Sequence, residues 1–214
     1  MRRGLSRAVC AQLRSTDCVD VRAEVPKYVC RAGAKLEHAL DAFGVDVAGV
    51  AALDAGVSTG GFTDCLLQRG AARVYAVDVG YGQVAERVRT DARVTLMERT
   101  NLRALDAAAL PERVALVTLD LSFISLLKVL PAVRAVLAPR GRVVALIKPQ
   151  FEAGPERVQK GGVVRDARVH AAVCAEVTAG FAAAGLVRRG LTESPLRGAA
   201  AGNKEFLALF EAAA

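Results

Sequence analysis

Asp54-Ala55-Gly56-Val57-Ser58-Thr59-Gly60-Gly61-Phe62-Thr63-Asp64 is the stretch that decides the fold. An apolar run at residues 47–53 precedes it and is typical of a buried strand, while residues 62–68 begin a helical pattern. Glycines allow a tight turn and a close approach of ligand to backbone, and a helix N-terminus offers free N–H groups. The stretch therefore predicts a strand, a ligand-binding turn and a helix, in that order.

A second acid follows the next apolar strand. Residues 74–77 end at Asp78, which comes 24 positions after Asp54, a spacing that suits an acid bound to ribose hydroxyls. The glycines match neither G-x-G-x-x-G nor G-x-x-x-x-G-K-[ST]. An acid directly before them would repel a phosphate but attract the cationic end of S-adenosylmethionine. We therefore expect S-adenosylmethionine as the cofactor, and a glycine-rich turn of another α/β protein is the alternative.

The rest of the chain continues the alternation of strands and helices. Further strands are predicted at 94–97, 114–119 and 143–147, helices at 34–43, 102–110 and 166–184, and a closing antiparallel pair at 186–191 and 206–210. The predicted fold class is α/β. It is a doubly wound, Rossmann-like methyltransferase fold, with a mostly parallel seven-stranded sheet and one reversed strand.

Composition narrows the class of protein. The 214 residues, 53% of them hydrophobic, suit one domain with a full core. Five cysteines without C-x-x-C spacing and two histidines give no reason to expect a metal or a disulfide framework. No signal sequence and no uninterrupted apolar span of ~20 residues is present, so we expect a cytoplasmic protein without a membrane partner.

The net charge of +7 is unevenly distributed. Residues 1–35, 140–170 and 185–204 together carry +12, which leaves −5 on the remainder. Segregated basic charge is typical of a face that meets a polyanion, so a nucleic acid is the expected partner. The alternative is an arginine-rich composition without a role in binding.

Two predicted strands are followed by residues whose side chains can take part in catalysis. Asp120-Leu121-Ser122-Phe123 follows the fourth strand, and Lys148-Pro149-Gln150-Phe151 follows the fifth. Burial disfavours the charged form of a lysine, which makes Lys148 a candidate general base. A nearby carboxylate opposes that effect, so a second cation would help, and Lys35 is the candidate.

These motifs, taken together, resemble the TlyA (haemolysin-A-like) family of ribosomal RNA methyltransferases, within the FtsJ-type superfamily. The resemblance covers about residues 28–211. Its blocks, in family order, are 28–36, 54–64, 78–83, 98–101, 120–126, 148–152, 160–166, 194–198 and 202–206. It implies 2′-O-methylation of cytidine in ribosomal RNA or ribosomal subunits, with S-adenosylmethionine as the methyl donor and no metal.

The resemblance also implies roles for particular residues. A catalytic Lys-Asp-Lys-Glu tetrad falls on Lys35, Asp120, Lys148 and Glu205. The implied cofactor residues are Asp54, Gly56, Ser58, Thr59, Gly60 and Phe62 for the methionine side, Asp78 for the ribose, Asn101 for the adenine, and Asp120 beside the methionine end. Asn101 could instead cap the helix predicted after it. Gly161 and Gly162 would belong to a lid that contacts RNA phosphates.

The start of the chain departs from the family pattern, because a small S4-type RNA-binding domain usually precedes the catalytic domain. We expect residues 1–27 to be a short basic segment, a possible remnant of that domain, and residues 28–214 to be the methyltransferase domain. Either the domain is lost or the start is misplaced.

Three other functions remain as alternatives. A base N-methyltransferase shares the fold but would place Asn/Asp-Pro-Pro-aromatic where Asp120-Leu121-Ser122-Phe123 stands. A non-catalytic RNA-binding or ribosome-assembly factor would keep the basic face and would not need the whole tetrad. A haemolysin-like activity is suggested only by the family name, since nothing in the sequence resembles a pore-forming segment.

Overall fold

The computed structural model describes residues 26–199 and 201–213, which form a seven-stranded sheet. The strands are β1 (Ala51–Ala55), β2 (Arg73–Val77), β3 (Val94–Met97), β4 (Val114–Leu119), β5 (Leu137–Ile147), β6 (Leu186–Glu193) and β7 (Phe206–Ala212). Their order is β3-β2-β1-β4-β5-β7-β6, and β7 alone runs antiparallel to its neighbours. The prediction of a mostly parallel sheet closed by a reversed strand is confirmed.

Helices cover both faces of the sheet. They are α1 (Ala32–Phe43), α2 (Gly61–Gln68), α3 (Glu86–Arg89), α4 (Leu130–Val136), α5 (Pro149–Glu152) and α6 (Ala167–Ala183). Side chains alternate between faces along each strand, so Val144 and Leu146 pack with α1 and α2, while Val143 and Ile147 pack with α4 and α6. The central strands β1, β2 and β4 are mostly apolar and buried because both faces of the sheet are covered there, whereas the edge strand β6 carries exposed polar residues. None of the described helices has the length and apolar character needed to cross a bilayer.

Three local predictions were wrong. Strand β1 begins at Ala51 rather than residue 47, because Gly49 takes a left-handed φ of +71° in a turn before it. The start of β5 also differs from the prediction, since it lies at Leu137 rather than residue 143: Leu137 already pairs with Val114 of β4, before an irregularity in the register.

The predicted helix at 102–110 is two short 3₁₀ turns. The side chain of Asn101 caps the first turn and that of Asp106 caps the second, so the helical path restarts instead of continuing.

Strand register brings the chemically important residues to one edge of the sheet. Ala55 of β1 lies opposite Val77 of β2 and Leu119 of β4, so the residues that follow each strand end emerge at the same level. Ile147 of β5 lies opposite Phe206 of the antiparallel β7, which places Lys148 beside Glu205. The edge contains the point where strand order reverses between β1 and β4, the usual place for a ligand in such sheets.

The domain prediction for residues 1–27 falls almost entirely outside the described residues, which begin at residue 26.

Candidate functional site

Two adjoining cavities lie at the carboxyl edge of the sheet. The Asp78 cavity, lined by residues that follow β1, β2 and β4, measures about 430 Å³. The Lys148 cavity, lined by residues that follow β4 and β5 and by the start of α1, measures about 580 Å³. Both volumes suit a small molecule or a nucleotide. Ser58, Asp120, Ser122 and Phe123 line both cavities, so the two open onto a shared boundary.

Asp78 organises the wall of its cavity. Its Oδ2 accepts the backbone N–H of Ser58 and its Oδ1 accepts that of Gly80, each at 2.7 Å. The carboxylate thereby joins the glycine turn after β1 to the loop after β2. Carboxylate oxygens can accept further hydrogen bonds, so Asp78 keeps acceptor capacity toward the cavity that it lines.

Gly56 lets the turn pass close to the end of β4. Its φ is +88°, and a Cβ atom there would lie 2.5 Å from the backbone oxygen of Asp120. Any other residue would meet both backbone strain and a collision with main chain that cannot easily move. The glycine therefore permits the close approach that forms the boundary between the cavities.

Asp54 lies beneath the turn and lines neither cavity. It is fully buried, and its two oxygens accept the hydroxyl groups of Thr63 on α2, at 2.6 Å, and Thr118 on β4, at 2.8 Å. Burial raises the pKa of Asp54 to about 6, although the two threonine hydrogen bonds oppose the shift. Asp54 thus links β1 to α2 and β4 through hydrogen bonds. A direct contact between Asp54 and a ligand stays a prediction.

Two other predicted cofactor residues also lie off the cavity walls. Phe62 is buried in the core between α1, α2 and the sheet, because it falls on the inward side of α2. Gly60, with φ +97°, forms the start of α2 and packs on Val88. Ser58 and Thr59 do line the Lys148 cavity. The turn therefore presents Gly56, Ser58 and Thr59 to the cavities, while Gly60 and Phe62 serve packing.

Asn101 performs the capping role and also lines the Asp78 cavity. Its Oδ1 accepts the backbone N–H of Arg103 at 3.0 Å. The side-chain amide group keeps two donors that this bond does not use. A contact with adenine stays a prediction.

The four residues of the predicted tetrad line one cavity as two ion pairs. Lys148 Nζ lies 2.7 Å from Asp120 Oδ1 and donates to Ser122 Oγ at 3.0 Å. Lys35 Nζ, from the first turns of α1, lies 2.5 Å from Glu205 Oε2. Lys35, Lys148 and Glu205 are buried, and Asp120 is nearly so.

The burial of two ion pairs in this way contributes little to the stability of the fold, which suggests a role in function. Buried ion pairs add little net stability, because the desolvation of two charges offsets their attraction. Paired lysines and carboxylates at the edge of a cavity are instead typical of a site where protons move. No group of three or more His, Cys, Asp or Glu residues that could hold a metal ion occurs in the part of the chain that the structure describes.

Sequence reasoning missed the role of Asn203. Its buried side chain accepts the backbone N–H of Val164 and donates to the carbonyl of Gly162, both at 2.8 Å, so it ties the glycine loop to the segment before Glu205. One signal was present in the sequence, because Asn203 lies in the resemblance block 202–206. Its partners are about forty residues away, and only the fold brings them together.

An aromatic pair, formed by an exposed and a half-buried phenylalanine, lines the Lys148 cavity and was also missed. The rings of Phe123 and Phe151 lie 5.1 Å apart, and Phe123 is 91% exposed with a left-handed φ of +64°. This backbone conformation is uncommon for a bulky residue, and such strained positions cluster at functional sites. The signal in the sequence was a phenylalanine three residues after each of Asp120 and Lys148.

Curated proteins with similar sequences include an rRNA methyltransferase and a protein named Hemolysin A. Among curated proteins, the chain is 49% identical over 179 residues to the 16S/23S rRNA (cytidine-2′-O)-methyltransferase TlyA of Mycobacterium tuberculosis, covering 84% of this chain and 66% of that protein. It is 40% identical over 200 residues to Hemolysin A of Brachyspira hyodysenteriae, covering 93% and 82%. The chain thus spans slightly less than two thirds of the TlyA protein's length.

Solved structures agree with the sequence relatives. A crystal structure from Lactococcus lactis, of a protein that carries the hemolysin name, superimposes with a TM-score of 0.85 at 45% identity, over 87% of this chain and 89% of that one. The family model for FtsJ-like methyltransferases matches residues 28–211. The chain belongs to the FtsJ-like methyltransferase family.

Proposed function

We propose that this protein is an S-adenosylmethionine-dependent ribosomal RNA methyltransferase that methylates the 2′-oxygen of a cytidine ribose. The observation that carries the proposal is the pair of buried ion pairs in a cavity that adjoins a second cavity suited to a nucleoside. The TlyA relative is named for this reaction.

The Asp78 cavity fits the proposed cofactor. Asp78 would accept hydrogen bonds from the ribose hydroxyls, and Asn101, which lines the same cavity, would offer amide donors to the adenine. The Gly56 turn keeps side chains out of the boundary near Asp120, the only acid that lines both cavities among the described residues. That carboxylate favours the positively charged end of the ligand. When bound, S-adenosylmethionine supplies an electrophilic methyl group.

Lys148 is the proposed catalytic base. As a neutral amine, Lys148 would keep two N–H donors for Asp120 and Ser122 and could turn its lone pair toward the 2′-hydroxyl of a ribose in the cavity. The hydrogen bond that this hydroxyl donates would orient its oxygen toward the boundary with the Asp78 cavity. As the oxygen forms its bond to the methyl carbon and the bond between that carbon and the donor sulfur breaks, the hydroxyl proton would pass to the amine of Lys148. The resulting ammonium group is paired with the Asp120 carboxylate, and the pair gains one positive charge as the methyl donor loses its own.

The other residues of the Lys148 cavity would position the RNA. Glu205 fixes Lys35 near the start of α1, where the lysine can meet the phosphate next to the target ribose. Phe123 and Phe151 offer aromatic surface on which an unstacked base can lie. Arg31, at the entrance to the same cavity, adds a further cation for the RNA strand.

The partners follow from the same proposal. Ribosomal RNA or a ribosomal subunit would be the substrate, in line with the TlyA relative's name. A cytoplasmic location, the absence of a required metal and the division at residue 27 stay predictions. Haemolytic activity rests on the name of the relative Hemolysin A and stays outside the proposal.

Substitution of Lys148 tests the proposal. We expect Lys148→Ala and Lys148→Arg to lower kcat for methyl transfer to ribosomal RNA by at least about a hundredfold, since a general base contributes about that much and a guanidinium cannot give up its proton. S-adenosylmethionine affinity, measured by calorimetry, should stay within about twofold of wild type.

Lys128→Ala is the matched control, because Lys128 is exposed and does not line the Lys148 cavity. Its kcat should equal that of the wild type. A Lys148→Arg enzyme with wild-type kcat would refute the assigned role of Lys148.

A further inference from the structure

A third cavity, here called the Arg165 cavity, lies next to the Lys148 cavity and is not used by the proposed mechanism. It measures about 310 Å³, and its charged lining residues, Arg165, Arg197 and Lys204, are all cations. No carboxylate belongs to its wall as the described residues form it. Ala201 and Asn203 line both this cavity and the Lys148 cavity, so the two are direct neighbours.

Nearby carboxylates balance only part of the positive charge of this cavity. Lys204 pairs with Glu193 at 3.0 Å. Within residues 26–199 and 201–213, neither of the two arginines has a carboxylate oxygen within 4.0 Å. Two guanidinium groups that share a concave wall without a counter-ion create a strongly positive potential there. The site therefore has the electrostatics of an anion-binding site.

The backbone around the cavity is held in place. Buried Asn203 bonds to Val164 and Gly162, which fixes one side of the cavity against the glycine loop. Gly198 N donates to the carbonyl of Asn203 at 2.9 Å, which fixes the loop that bears Arg197. Arg31, at the mouth of the Lys148 cavity, donates to the carbonyl of Arg197 at 3.0 Å and joins the two cavities from the other side.

We infer that the Arg165 cavity binds a backbone phosphate of the RNA strand, one that flanks the target nucleotide held in the Lys148 cavity. Arginine suits this role, because its planar fork can donate two parallel hydrogen bonds to phosphate oxygens. The shared Asn203 wall lets one strand run from the catalytic residues into the basic cavity. The inference rests on the proposed RNA substrate and adds a defined subsite to it.

The salt dependence of RNA binding tests the subsite. The double variant Arg165→Gln/Arg197→Gln should lower the slope of log affinity against log salt by about 0.7 for each single-strand phosphate contact that is lost. Because the cavity holds no catalytic residue, KM for RNA should rise by about tenfold or more while kcat at saturating RNA stays within twofold. Arg165→Lys/Arg197→Lys should restore most of the slope, since the charges are kept.

Arg113→Gln is the matched control, because Arg113 is exposed just before β4, at the opposite edge of the sheet. It should keep the wild-type slope. A steep wild-type slope that the double variant leaves unchanged would overturn the subsite and leave the proposed function standing. If the wild type fails to bind or methylate ribosomal RNA at all, the proposed function itself is wrong.

Discussion

The buried carboxylate of Asp54 should make the stability of this protein depend on pH in a way that one substitution removes. Its pKa of about 6 in the folded chain, against 3.8 for an unperturbed aspartate, reflects burial. The folded state holds this proton more tightly than the unfolded state, so the free energy of unfolding falls as pH rises from about 4 to about 6. At about pH 8 the ionised, buried carboxylate lowers the free energy of unfolding by about 3 kcal/mol, because each unit of pKa shift corresponds to about 1.4 kcal/mol.

Asp54→Asn should therefore stabilise the protein at neutral and alkaline pH. Asparagine can accept from Thr63 and donate to Thr118, whose hydroxyl can then donate to the carbonyl of Leu53, 3.5 Å away. If the exchange of hydrogen bonds costs about 1 kcal/mol, a net gain of about 2 kcal/mol remains at about pH 8. Near pH 4.5 that gain should be almost gone, since wild-type Asp54 is then protonated when folded.

Urea denaturation at the two pH values measures this difference at constant ionic strength. Asp46→Asn, the loss of an exposed carboxylate, is the control for the change in net charge. The reasoning is refuted if the stability difference between Asp54→Asn and wild type is the same, within about 0.5 kcal/mol, at both pH values.

Three further predictions concern the cavities and their walls. Asp78→Asn should weaken S-adenosylmethionine binding in calorimetry by about tenfold or more, since a charged acceptor is lost; an unchanged affinity would contradict the ribose role. Gly56→Ala should lower the free energy of unfolding by more than the roughly 1–2 kcal/mol that left-handed backbone costs alone, because its Cβ would meet the Asp120 oxygen; a neutral effect in urea denaturation would argue against that close approach. Asn203→Asp should speed amide hydrogen exchange in residues 159–164, since the donor to Gly162 is lost; unchanged exchange would show that Asn203 does not hold the loop.

Much of the fold could be predicted because its signals are local. Buried parallel strands read as short apolar runs, and β3 and β4 were predicted with the bounds that the structure gives. The helix at 102–110 failed because capping by Asp106, whose Oδ1 accepts the backbone N–H of Ala108, competes with helix continuation. An apolar and alanine-rich composition does not reveal that competition.

The residues of the candidate site also fall into two groups, those with a local signal in the sequence and those without one. Asp120 and Lys148 could be found because strand ends meet at one edge of a parallel sheet. Lys35 was the candidate for a second cation before the family resemblance was considered, whereas Glu205 and its pairing with Lys35 came from the resemblance, since no local pattern brings together residues 170 positions apart. Whether a residue of the turn faces a cavity or the core depends on side-chain direction, which the sequence does not give, so the burial of Asp54 and Phe62 behind the cavity walls was not foreseen.

The position of the methyl group on the product tests the central claim most directly. Ribosomal RNA methylated with labelled S-adenosylmethionine should be hydrolysed in alkali, which cannot cleave the chain after a nucleotide whose 2′-oxygen carries a methyl group. The account predicts that all of the label appears in an alkali-resistant dinucleotide whose methylated residue is cytidine. Label released in mononucleotides as a methylated base would contradict the account, because Lys148 and its partners would then serve a base methyltransferase.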